Sequence, residues 1–284
     1  NERVFDYPCV TKYHTHHLIP GHAYGWWCYA ENKHMLGLTL DGWAQEINQG
    51  TIKYIVCSNR GDCPNNLVYL LGTIEHTRFK DICIVFIEEE HDLYFDLHRQ
   101  NVERLRPIWD KIDLYYRVDY IQSRCATYSK IKPLYLSIPE DKLLAEVGDI
   151  QPFQSREIDI CYIVGDSHPN RRLYYNLLLK LKGLNTVLCF GQHQYSIGEY
   201  FNIINKSKIS ISVRGNEWSN TRNMEIPFLG AALFTEKIDI EVPYDYIDGE
   251  QAIFFDQSDL LGKVNYYLDN PLEKIYFLCS FQIK

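Results

Sequence analysis

The sequence predicts an α/β protein in two halves, the second built as a doubly wound parallel sheet. Three observations carry this expectation. Beyond residue 157, short apolar β-branched runs alternate with longer helix-patterned stretches, strand and helix in turn. The best runs, Ile82–Ile87 and Ile158–Val164, are nearly continuous in apolar residues, the pattern of strands buried on both faces. The polar segment 148–156, broken by Pro152, reads as a linker, so the halves are expected at residues 1–150 and 151–284.

In the first half, Ile52–Cys57 and Ile82–Ile87 are expected strands, followed by Leu114–Val118 and Pro133–Ser137. Helices are expected over Cys63–Phe79 and Asn101–Ile108, with another over Leu38–Ile47. The first fifty residues are aromatic and His-rich and carry no clear period. In the second half the expected order is strand Ile158–Val164, helix Asn170–Leu181, strand Asn185–Phe190 and helix Ile197–Asn205. Strand Ile209–Val213, helix Thr221–Leu229 and strand Ala231–Thr235 follow, then strand Ala252–Phe255, a helix from Gln257 through Leu268 and a last helical stretch, Pro271–Phe277.

The chain has 284 residues, 46% hydrophobic and 23% charged, which is the composition of a folded protein with a sizeable core. Its formal charge is −8 and no basic block interrupts it, which argues against nucleic acid as a partner. A local basic pocket is compatible with that balance, because net charge says nothing about one cleft. Nine cysteines, an odd number, are scattered; Cys83, Cys161 and Cys189 lie in apolar runs and read as core thiols. Cys57 and Cys63 lack further ligands for zinc. A reducing, cytoplasmic setting is the simplest expectation, with no apolar run near the roughly 20 residues of a membrane span and no signal-peptide pattern at the start.

The segment from Ser210 to Gly230 is the richest in chemistry. It runs from a strand through a polar turn into a short helix closed by Pro227 or Gly230. Arg214, Glu217, Arg222 and Glu225 fall at the carboxyl end of the strand, where an open α/β sheet keeps its ligand crevice. A carboxylate accepts the paired hydroxyls of a ribose or hexose, and arginines suit a diphosphate. Ser219 or Asn220 would cap the helix, whose first-turn N–H groups favour a phosphate. The alternative is a set of surface and capping residues on an ordinary helix.

Residues 157–277 resemble the C-terminal domain of GT-B glycosyltransferases, in particular the group 1 type of spore-coat and maturation proteins, with an echo of exostosins. The likeness rests on Val164-Gly165 followed by Arg171, and on Arg222-Asn-Met-Glu225-Ile-Pro-Phe-Leu-Gly230. Leu233-Phe-Thr-Glu236, then Gly249-Glu-Gln-Ala-Ile-Phe254 and Tyr266-Tyr-Leu268, complete it in order. The resemblance implies a GT-B α/β fold, with two Rossmann-like domains facing a central cleft and the N-terminal one short and atypical. It also implies a nucleotide-sugar donor, UDP-sugar first among candidates, with no other cofactor and no catalytic metal.

By the same resemblance Glu225 holds the donor ribose, Arg222 lies near the diphosphate and Glu217 contacts the donor sugar. Gly165 would let backbone approach the phosphates, with Arg171 and His168 beside them. Arg214 stands where the family usually has a small or polar residue, so a role on the diphosphate is read from its chemistry alone. The Glu217–Glu225 spacing is similar to the Glu-x7-Glu motif of retaining enzymes, the exostosin echo leans to inversion, and the family's second basic residue has no match here. Stereochemistry therefore stays open.

The first half would hold the acceptor, a glycan or small molecule. His14, His16 and Asp41 are the candidate general bases, imidazole having the right pKa for a hydroxyl at neutral pH. The histidines at 14, 16, 17 and 22 lack a zinc-ligand spacing. Glu88-Glu-Glu-His-Asp92 reads as a solvated acidic loop or an acceptor contact. The rival to a transferase is a non-catalytic α/β module that binds a nucleotide or a glycan. A dehydrogenase is disfavoured because Gly165-Asp-Ser-His-Pro-Asn lacks the dinucleotide glycine fingerprint.

Overall fold

The computed structural model describes residues 40–50, 54–58, 63–88, 96–125, 128–134, 140–191, 195–215, 220–237, 240 and 246–270. By its contacts the chain divides into Asn1–Tyr135 with Ile240–Pro243, and Leu136–Asp239 with Tyr244–Lys284.

The first unit holds a parallel sheet of β1 (Tyr54–Ser58), β2 (Cys83–Glu88), β3 (Leu114–Arg117) and β4 (Ile131–Pro133), in the order β1-β2-β3-β4. Helices α1 (Leu40–Asn48), α2 (Cys63–Thr73) and α3 (Asp96–Leu105) accompany it. Steps that always move the same way across a parallel sheet place right-handed crossovers on one face. Accordingly Trp43, Leu67, Leu70, Leu71 and Leu105 share one cluster with Ile84, Phe86 and Tyr115. The helix expected over Cys63–Phe79 stops at Thr73, whose hydroxyl bonds the Leu70 carbonyl, and an extended Glu75 separates it from the tight turn His76–Asp81. The fourth strand begins earlier than its apolar run suggested, at Ile131.

Glu88 departs from its expected place in a solvated loop. It ends β2 fully buried, 2.8 Å from the Arg117 guanidinium and accepting from the Tyr115 hydroxyl at 2.9 Å. The continuous apolar strand carries it inward, and the buried partners compensate its charge. Burial and Glu88 together push the Tyr115 hydroxyl well above its ordinary range.

The short α4 (Gln122–Cys125) precedes β4 in the first unit, and the second opens with a helix that sequence reading missed, α5 (Glu140–Val147). Its sheet contains β5 (Ile158–Val164), β6 (Thr186–Phe190), β7 (Ser207–Ser212), β8 (Ala232–Glu236) and β9 (Ile253–Phe255), all parallel. Between them run α6 (Pro169–Leu178), α7 (Ile197–Asn205), α8 (Arg222–Phe228) and, last, α9 (Leu260–Asp269). The strand order is β6-β5-β7-β8-β9. Alternate side chains separate two cores, as period two requires. Ile160, Tyr162, Ile209, Ile211 and Phe234 pack with Tyr174 and Leu178 of α6 and Leu260 and Val264 of α9. Cys161 and Leu233 pack with Leu143 of α5, Phe201 and Ile204 of α7, and Ile226 of α8. A Ser196–Glu199 capping box starts α7 as the local sequence dictates.

The segment expected as a linker is part of this unit. Arg156, 3% exposed, donates to the carbonyls of Gln151, Ile204, Ser207 and Leu229, and Asn205 bonds both Asp149 and Gln151. The guanidinium fork thus satisfies carbonyls at the ends of α7 and α8 that the helices leave open. The division accordingly falls before residue 136 rather than within 148–156. The expected helix 271–277 lies outside the described residues. Cys161 and Cys189 are buried free thiols, Cys83 only partly so, and burial pushes the Cys161 thiol up to about 12.

Candidate functional site

The chain leaves β5 toward β6 on one side and later returns to β7 on the other, so the order reverses between β5 and β7. Loops diverge at such a point and leave a crevice at the carboxyl ends of the strands. Pairing of these two strands ends at Cys161 opposite Ser210, although β5 continues to Val164 and β7 to Ser212.

Two guanidinium groups bridge the opening. Arg171, in the first turn of α6, donates through Nε to the Arg214 carbonyl at 2.9 Å, through Nη1 to Gly165 at 3.3 Å and through Nη2 to Val213 at 3.5 Å. The side chain is 6% exposed, so its described bonds hold the loop after β5 to the loop after β7. Gly215 makes room for it, since a Cβ there would stand 2.7 Å from Arg171 Nη2 and 3.2 Å from Ser167 Oγ. Arg222, the first residue of α8, donates to the Ile163 carbonyl at 3.0 Å, beyond the last β5–β7 pair. That bond uses one of the five N–H donors a guanidinium carries.

His168 caps α6: its Nδ1 accepts from the Asn170 N–H at 3.2 Å. Its Nε2 lies 2.8 Å from Arg214 Nη2. Burial, then the positive charges of Arg214 and Arg171, hold the imidazole below its ordinary pKa. Glu236, ending β8, accepts from Asn170 Nδ2 at 2.6 Å and from the Arg214 N–H at 3.3 Å, which ties a third strand end to the cluster.

On α8, Glu225 stands one turn after Arg222 and accepts from the Tyr200 hydroxyl at 2.9 Å through Oε2. Burial and Glu225 push that phenol well above its ordinary range, so it remains a donor. The expected cap residue Asn220 does not cap α8. Its side-chain oxygen accepts from Ser212 Oγ at 3.1 Å instead, and the helix starts with no side-chain cap. Gly230 ends it at φ +74, and its missing Cβ leaves space for Arg156.

The structure therefore brings Gly165, His168, Arg171, Arg214, Arg222 and Glu225 to one end of one sheet. Asp41 lies in the other unit, exposed on the first turn of α1, with the Tyr69 hydroxyl 3.3 Å away. His14, His16, Glu217 and Ser219 lie outside the described residues. Sequence reading gave Tyr200, Asn170 and Glu236 no role; only Glu236 had a signal, as the polar end of a buried strand. Among the described residues no group of histidine, cysteine and carboxylate side chains could hold a metal, and no helix is long and apolar enough to cross a membrane.

No protein-family model matches the chain, and no curated protein matches it. Solved structures do. An α-glucosyltransferase in complex with UDP and a 13-mer DNA containing a central A:G mismatch superposes with a TM-score of 0.54 at 13% identity, over 84% of this chain and 78% of that one. TarM, from S. aureus, gives 0.53 at 11% over 86% and 54%. Anabaena HepE in complex with UDP gives 0.52 at 9% over 86% and 76%. The fold is thus the GT-B α/β architecture, as the sequence resemblance implied; the narrower likeness to spore-coat proteins or exostosins has no counterpart in these matches.

One expectation is corrected. Acidic composition was taken to argue against nucleic acid, yet the α-glucosyltransferases of this fold are seen in complex with DNA, in one case with an abasic site. Average charge fails as a guide because a nucleic-acid contact needs only one positive surface.

Proposed function

We propose that the chain is a nucleotide-sugar-dependent glycosyltransferase whose donor binds at the carboxyl ends of β5 and β7. The observation that carries this reading is the meeting of His168 and Arg214, 2.8 Å apart, at the reversal of strand order and at the start of α6. Nitrogen donors converge there on a crevice, which suits a diphosphate. Gly165 offers close backbone approach to the phosphates, Arg222 faces the same opening, and Glu225 Oε1 complements a ribose diol while Tyr200 holds Oε2. UDP-sugars are the first donors to test, since several proteins of this fold were solved with UDP.

In the reaction an acceptor hydroxyl attacks the anomeric carbon, its proton passes to a base, and the nucleoside diphosphate leaves. Arg214 and Arg222 would stabilise the charge that develops on it. His14, His16 and Asp41 stay the base candidates and Glu217 a donor-sugar contact. The acceptor is a glycan, a small molecule or a nucleic acid, and DNA belongs in the panel because of the complexes above.

Calorimetric titration with UDP-, GDP- and CMP-sugars tests the reading, with Glu225→Ala as control. Saturable binding of one donor, weakened in the variant, supports it. A folded protein that binds none moves the reading to a glycan-binding module.

A further inference from the structure

The ring of His168 stands in an environment that suits no neutral tautomer. Nδ1 faces the Asn170 N–H at 3.2 Å and Nε2 faces Arg214 Nη2 at 2.8 Å. A backbone amide and a guanidinium nitrogen only donate, whereas a neutral imidazole carries one N–H of its own. Whichever nitrogen holds that hydrogen directs it at another donor. An imidazolium would direct two, next to the positive charges of Arg214 and Arg171. In these two contacts neither ring nitrogen of His168 faces an acceptor, and a diphosphate supplies oxygens to which the ring can donate.

The charged groups around the ring come from each neighbouring element. α6 supplies the Arg171 guanidinium and the Asn170 amide; the loop after β7 supplies Arg214. Glu236 ends β8 with its oxygens on Asn170 Nδ2 and the Arg214 N–H. Asp166, in the same loop as His168, is paired with the exposed Arg172 at 2.8 Å. Burial, and then the charges of Arg214 and Arg171, hold the ring below its ordinary pKa. A diphosphate among these groups reverses the balance, because its negative charge favours the imidazolium.

Resting on the donor-site reading above, we infer that His168 takes up a proton when a nucleotide sugar binds and donates from the protonated ring to the diphosphate. The reacting proton comes from solvent and ends on the imidazole; no covalent bond to the donor is made. His168 is then a proton-linked ligand of the leaving group, with the charge delivered only when the donor is present.

The sign follows from linkage. The free ring titrates below its ordinary value and the bound ring above that of the free form, so affinity is highest at acid pH and falls as pH rises between the two. Each unit separating them is worth about tenfold in affinity. UDP-glucose and GDP-mannose are suitable probes, because their diphosphate diesters do not themselves titrate near neutrality.

Binding enthalpy measured in two buffers of different ionisation enthalpy, at pH values from 5.5 to 7.5 (about the ordinary histidine range), reads the proton count directly. The expected result is uptake of a fraction of a proton by the natural protein and none by His168→Asn, which still caps α6. NMR titration of the His168 ring, without and with the nucleotide sugar, reads the same shift in the unaltered protein. Donor binding with no uptake, uptake unchanged in His168→Asn, or a ring pKa that stays put would overturn the inference and leave the donor site standing. Failure of both probes to bind would overturn the donor reading, and this inference with it.

Discussion

The two sheets of this chain share parallel strands but differ in order and in what the arginines at their strand ends meet. Among the described strands, the first sheet runs β1-β2-β3-β4 without reversal, whereas the second reverses between β5 and β7. At the carboxyl end of β3, Arg117 meets the carboxylate of Glu88, both fully buried. At the carboxyl ends of β5 and β7, Arg171 and Arg222 meet main-chain carbonyls. A carboxylate offsets a guanidinium's charge, while a carbonyl bond fixes the group's orientation. One sheet end is stabilised by pairing, and the other is shaped by arginines around a crevice that topology opens. The same residue type closes a charge pair in one place and ties loops together at a reversal of strand order in the other.

The largest expected effect breaks the first arrangement. Glu88→Gln strands a buried guanidinium, which should cost about 3–5 kcal/mol in urea denaturation. Replacing Glu88 with Leu, Arg117 with Met and Tyr115 with Phe together should restore most of that loss, since an apolar set of similar volume commonly equals a buried pair. If the triple variant is as unstable as the single one, the pair is more than a compensated charge. Nucleotide-sugar affinity of the folded Glu88→Gln protein should match that of the natural chain.

Gly215→Ala probes the second arrangement. The new methyl would stand 2.7 Å from Arg171 Nη2, so the guanidinium must move off its carbonyls. Overpacking of this kind costs about 1–3 kcal/mol. Here stability and donor affinity should fall together, as thermal unfolding and calorimetry would register. Smaller still is Tyr200→Phe, which removes the donor to Glu225 and should weaken nucleotide binding by about 1 kcal/mol. A 2′,3′-dideoxy uridine diphosphate, which cannot use Glu225, should bind both proteins equally.

Much of the second unit was legible in the sequence because both faces of its sheet are covered. Ile158–Val164 and Ile197–Asn205 were placed to the residue, the first by its continuous apolar run and the second by its place in the alternation of strand and helix. α5 was missed because its short apolar face packs against α7, a contact that local period cannot reveal. Arg156 was read into a linker for a similar reason: its partners are carbonyls distant in sequence, and a carbonyl leaves no mark on residue type. The site was half legible. Arg222, Glu225 and His168 announced themselves by chemistry, while the bond that fixes Glu225 comes from Tyr200, one tyrosine among 22.

Gly165 separates a packing glycine from a ligand-facing one. A Cβ at this position would meet the Gly191 carbonyl at 3.9 Å and Arg171 Nη1 at 4.0 Å, both ordinary contacts, and its backbone is not in the left-handed region. Gly165→Ala should therefore change stability by no more than about 0.5 kcal/mol, as for a substitution without a clash. Like Gly215→Ala it should weaken the nucleotide sugar severalfold, but without that variant's loss of stability, because only a bound phosphate needs the space that the methyl fills. Chemical denaturation and calorimetry on the two alanine variants would set these cases apart. If Gly165→Ala binds the donor as tightly as the natural chain, the phosphates do not pass close to this backbone, and the crevice would have to be drawn nearer to His168 and Arg214.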